Sequence, residues 1–241
     1  MTLKVTQIGF DRFIRLEWVA MALRVRSGAA DIAALHELLD RAGLGKEARA
    51  KTRTKLNALV IQPRADLAEF LERGIDIFRG GEKSADVAPF AWGAAITAYP
   101  YFGKVAEFTG RLTSIQGDCT VSEIHRRISE VYGDRQVTKR ATQAVIQSQA
   151  NWGSIARVER GKRLVRLVSR NLSDDRMIAW LVEAALRYHG KAISLATLPA
   201  LAVIYPFTLD RPLAYLISHS PKLEFRSAGA GHQYVGLRGA H

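Results

Sequence analysis

The period of the apolar residues first changes after Asn151, and that change constrains the fold more than any other feature. As far as Asn151, apolar side chains recur at steps of three and four residues, the spacing of one face of an α-helix. Phe13, Leu16, Val19, Ala20 and Leu23 make the first stripe. Ile32, Leu35, Leu38 and Leu39 make the second, in a helix over residues 31–41 that stops before Gly43. A third helix over 46–61 turns Leu56, Leu59 and Val60 inward, and Pro63 ends it. Further helices are predicted over 65–78, 89–98 and 101–115, with Pro100 setting a corner between the last two. Thr120 or Ser122 caps the next, whose stripe is Val121, Ile124, Ile128 and Val131. After the turn at 132–135, a helix over 135–151 buries Val137, Ala141, Ala144 and Val145.

Beyond "NWGS" the pattern becomes that of strands. Residues 156–159 and 162–168 are rich in valine and basic side chains, with Arg160-Gly161 between them, and read as a β-hairpin. Helix, turn, helix, basic hairpin is the order of a winged helix-turn-helix. The C-terminal part suggests the order again: helices over 174–188, 194–203 and 211–218, then strands at 222–226 and 233–237 around "SAGAGH". The predicted fold is mostly α: a helical N-terminal domain (1–86) closed by the linker "RGGEKSAD", a winged helix-turn-helix domain (87–171), and a second winged-helix-like domain (172–241) with less polar helices.

Charge points to a partner. The net charge is +12, which favours a polyanion: DNA, RNA or an acidic membrane surface. From Asp134 to Arg170, nine cations face only Asp134 and Glu159, so this segment holds +7 of that total. Gln136, Lys139, Arg140, Gln143 and Gln147 share one face of the 135–151 helix, beginning next to Arg135. Arg and Gln are the side chains that pair bidentately with guanine and adenine edges in the major groove. Arg157, Arg160, Lys162, Arg163 and Arg166 on the hairpin are placed for phosphates or the minor groove. The bland alternative is a solvated basic face beside a structural hairpin. A second basic run, Arg49, Lys51, Arg53 and Lys55, wraps around its helix and reads as solvated surface, with phosphate contact as the alternative.

Catalytic patterns are scarce: the sequence has no P-loop, no dinucleotide glycine fingerprint, no His-Glu-x-x-His and no Gly-x-Ser-x-Gly. The six histidines are scattered. Asp174-Asp175 suits a helix N-terminus, and the four tryptophans fall in apolar patterns that suit core packing. The single cysteine, Cys119, excludes an internal disulfide and fits a reducing, cytoplasmic setting. Residues 87–103 and 192–209 are uncharged but broken by proline, so they read as buried segments and no membrane span is expected. The N-terminus has no apolar run of signal-peptide length.

The stretches "TAYPYFGKVAEFTGRL" (97–112) and "TVSEIHRRISEVYGDRQVTKRATQAVIQSQANWGSI" (120–155) resemble the A-type accessory proteins, BrxA, of bacterial BREX phage-defence islands. The resemblance covers residues 88–170, through its general character, and leaves the N-terminal third outside. It implies a mostly helical, non-enzymatic DNA-binding protein, without cofactor or metal, working beside a methyltransferase and ATPases; only the 135–151 helix and its basic neighbours carry over as site residues. The expected function is therefore double-stranded DNA binding within a phage-defence assembly. A protein-interaction adaptor and an RNA-binding helical protein remain as alternatives.

Overall fold

The computed structural model describes residues 8–81, 86–228 and 232–239. Four helices open the chain: α1 (Leu16–Ser27), α2 (Ile32–Asp40), α3 (Lys46–Leu56), which runs into a π-helical turn at Asn57–Ile61, and α4 (Ala65–Gly81). Arg79–Gly81, expected to begin a linker, is the last turn of α4; residues 82–85 lie outside the described residues, as do 1–7 and the 229–231 part of the glycine-rich loop. Helix α5 (Val87–Ala98) is buried on every side from Ala88 to Thr97, which explains its lack of charge. Pro100 then starts α6 (Pro100–Gln116), where its missing N–H is not needed.

Next come β1 (Asp118–Thr120), α7 (Val121–Tyr132), α8 (Gln136–Asn151), β2 (Ile155–Val158) and β3 (Arg163–Arg166). The three strands form an antiparallel sheet in the order β1-β3-β2. Thr120 caps α7 in a reciprocal box: its hydroxyl accepts from the Glu123 backbone N–H, and the Glu123 carboxylate accepts from the Thr120 N–H. Those bonds hold the Glu123 carboxyl below the usual carboxylate range.

A short strand β4 (Arg170–Leu172) leads to α9 (Asp175–His189), capped by Asp174, whose carboxylate accepts from Met177 N–H at 2.8 Å. Then follow β5 (Ile193–Ser194), two 3₁₀ turns, β6 (Phe207–Leu209), α10 (Leu213–His219), β7 (Leu223–Ala228) and β8 (His232–Leu237). β6 pairs in parallel with β4, and the last sheet runs β5-β8-β7. In each of the two three-stranded sheets the first strand pairs with the third. The helix expected over 194–203 is absent. Pro199 cannot donate to a helical ladder and Leu201 is extended, which leaves the 3₁₀ turns Leu195–Ala200 and Ala202–Ile204.

The buried apolar residues form one continuous cluster. Trp92 sits within it, with ring edges meeting Phe102, Trp152, Tyr205 and Phe207 at centroid distances of 5.3, 6.1, 5.5 and 5.9 Å. Its indole N–H donates to the Val203 carbonyl at 2.8 Å. Gly110 lets α6 approach the Ala202–Ile204 turn: a Cβ there would lie 2.2 Å from the Ala202 carbonyl oxygen. The four tryptophans are buried, as their apolar surroundings suggest.

Candidate nucleic-acid interface

The packing of α8 decides which of its polar residues face solvent. Its buried face is Thr138, Ala141, Thr142 and Val145, and the Tyr101 hydroxyl donates to the Thr138 carbonyl at 3.0 Å and meets the Thr142 hydroxyl at 2.7 Å. Val137, expected inside, is 48% exposed because this threonine-lined face has taken the inward position. Val131 of α7, also expected inside, is turned outward as well.

The far end of α8 is covered by the segment that precedes α1. Ser148 Oγ accepts from Ile14 N–H at 3.0 Å, Asn151 Oδ1 accepts from Leu16 N–H at 2.7 Å, and the Trp152 indole donates to the Ile14 carbonyl at 2.9 Å. The outward stripe of α8 is consequently open only over its first turns. Arg135, Gln136, Lys139 and Arg140 are exposed, whereas Gln143 and Gln147 are half-buried. Gln143 Nε2 lies 3.2 Å from His125 Nε2, and burial, together with the charge of Lys139, pushes the His125 pKa down. Lys139 is paired with Asp134 at 2.9 Å, and Arg135 donates to the Tyr132 carbonyl at 3.2 Å.

The hairpin is tied to α7 through the bond from Val121 N–H to the Lys162 carbonyl, 2.8 Å. Val158 pairs with Arg163, so its turn has four residues, not the two of an Arg-Gly turn. Glu159 and Arg160 have φ of 51° and 54°, and Gly161 has 84°. Only the glycine adopts that left-handed conformation without steric cost.

The five hairpin cations divide sharply. The side chains of Arg157, Arg160 and Lys162 are exposed and make no ion pair or hydrogen bond with another described residue. Arg163 is paired with Asp118 on β1 and with Glu159. Arg166, a candidate for phosphate, points into the protein. It donates to the Tyr205 carbonyl at 2.6 Å and the Ser169 hydroxyl at 3.2 Å, and its guanidinium lies 5.3 Å from the Tyr205 ring centroid. Arg166→Ala should thus cost about 1.5–3 kcal/mol, as expected for a hydrogen bond from a charged group, without changing the salt dependence of DNA binding. Thermal denaturation and a salt titration of the same variant check both parts.

The second basic run is spent internally. Arg49 and Arg53 reach Asp40, Lys51 pairs with Glu47, and Lys55 meets Asp11 at 3.0 Å. Arg126 of α7, exposed and absent from the predicted set, adds a cation that its own helix pattern displayed, two positions before the inward Ile128. Cys119 is buried, and burial pushes its thiol pKa up to about 12, which leaves it protonated and unreactive. Asp175 pairs with Arg211 at 3.2 Å, so the Asp174-Asp175 pair serves the start of α9. Among the described residues no group of three or more His, Cys, Asp or Glu is placed to hold a metal ion, and no helix is long and apolar enough to cross a membrane. Comparisons of the chain with family models, with curated proteins and with solved structures find no match.

Proposed function

We propose that the α6–β3 segment is a winged helix-turn-helix that binds double-stranded DNA without catalysis. The observation that carries this reading is a set of five cations with no acidic partner among the described residues: Arg135 and Arg140 at the start of α8, and Arg157, Arg160 and Lys162 on the hairpin. The remaining cations between Asp134 and Arg170, apart from the inward Arg166, are neutralised by Asp134, Asp118, Glu159 and Asp86. Supporting it, the exposed part of α8 is its N-terminal part, the part of a recognition helix that reaches base edges. Gln136 and Arg140 there have donors suited to adenine and guanine, while the hairpin cations suit phosphates. The resemblance of residues 88–170 to BREX accessory proteins makes a phage-defence assembly the proposed setting.

Competition binding separates this from the RNA and adaptor readings. At one fixed salt concentration, a labelled duplex should be displaced by unlabelled duplex at least about ten-fold more effectively than by single strands or by double-stranded RNA, whose narrow major groove excludes a helix. Equal displacement by RNA contradicts the major-groove placement of α8. Absence of any nucleic-acid binding favours the adaptor.

A further inference from the structure

A cavity of about 430 Å³ opens between the start of α4, the corner joining α5 to α6, the end of α9 and the β7–β8 hairpin. Its volume falls in the range of small-molecule sites. The wall has two parts. Leu67, Ile96 and Leu186, all buried, give it an apolar floor, with Leu237 beside them. Among the described residues four cations, Arg64, Arg187, Lys191 and Arg226, stand around it, and Asp66 is the one carboxylate.

Positive charge remains after internal pairing is counted. Arg64 is held by Asp66 at 3.1 Å and Arg226 by Glu224 at 3.0 Å. Arg187 shares the buried Glu183 carboxylate with Arg73, at 2.8 and 2.6 Å, and Arg73 also meets Glu69 at 3.0 Å, which pairs with Lys222, so two carboxylates serve three cations. Lys191 is exposed and forms no ion pair with a described residue. An apolar floor under a cationic rim is complementary to a molecule with a short hydrocarbon body and an anionic head.

We propose that this cavity binds a small phosphate monoester with an apolar body. Calorimetric titration with ethyl, butyl and hexyl phosphate tests it, with 1-hexanol and inorganic phosphate as controls. Affinity should rise about four-fold per added methylene until the floor is covered, and both controls should bind at least about ten-fold more weakly than hexyl phosphate. Arg64→Glu with Lys191→Glu, both on exposed side chains, should weaken hexyl phosphate more than about ten-fold and leave hexanol unchanged. Lys191→Arg should keep the wild-type affinity, and circular dichroism of the double variant should match the wild type. Hexyl phosphate binding no better than hexanol, affinity independent of chain length, no binding of any probe, or an unaffected double variant would each overturn the proposal. None of these outcomes depends on whether α8 reads DNA.

Discussion

Trp92→Ala should be the most damaging single substitution in the core, lowering stability by about 3–5 kcal/mol. The ring is buried and touches four other aromatic rings drawn from α6, the residue after α8, the turn before β6, and β6 itself. Its removal leaves a cavity that those rings fill only by leaving their own contacts, and it strips the buried Val203 carbonyl of its donor. For a chain of this size the loss corresponds to a fall in melting temperature on the order of 10 °C, measured by circular dichroism. Because Trp92 joins the α6–β3 segment to the elements after β4, melting should stay a single transition. A shift under about 1 kcal/mol would mean that the aromatic cluster does not hold these elements together.

The largest effect on binding should come from the hairpin. Replacing Arg157, Arg160 and Lys162 together by alanine removes three exposed cations whose side chains form no ion pair or hydrogen bond with another described residue, so the fold should be unchanged. If each contacts one phosphate, the slope of log K against log salt becomes shallower by about 2.7, and affinity near 0.1 M salt falls on the order of a hundred-fold. The loss should be the same for every duplex sequence, since phosphate contacts carry no sequence information. Arg140→Ala should instead reduce discrimination between sequences, by about 1–3 kcal/mol if it makes a bidentate base contact. Fluorescence anisotropy with two unrelated duplexes distinguishes the two behaviours. A sequence-dependent loss from the hairpin variant would mean that the hairpin reads bases.

Local patterns explain which parts of this architecture could be read from residues alone. The caps are local: Thr120 with Glu123, and Asp174 with Met177, lie three residues apart and were visible as signatures. The helices with strong apolar stripes were equally legible, since one buried face leaves its period in the sequence. What escaped depended on distant partners. Arg163 is neutralised by Asp118, 45 positions away, and Arg166 is absorbed by Tyr205, 39 positions away. Glu159, which also pairs with Arg163, stands nearer still to Arg160 in sequence, and nothing near Arg166 marks it as inward. Gln147 is half-buried, and its neighbours Ser148 and Asn151 receive residues 14 and 16, contacts spanning 134 and 135 positions. Val137 misled because valine suggests burial, whereas threonines fill the packed face of α8, the Thr142 hydroxyl bonded to the Tyr101 hydroxyl and to the Thr138 carbonyl. Charge composition thus located the basic segment, and tertiary packing selected the cations within it that remain open.

The central claim is that five unneutralised cations on α8 and the hairpin hold duplex DNA, and the salt dependence of binding tests it most directly. With one phosphate contact each for Arg157, Arg160, Lys162 and Arg135, log K should fall with log salt at a slope of about −3.6 for the unmodified protein, steepening toward −4.5 if Arg140 also rests on phosphate. A slope near zero across about 50 to 200 mM salt, or no duplex binding at the low end of that range, would contradict it.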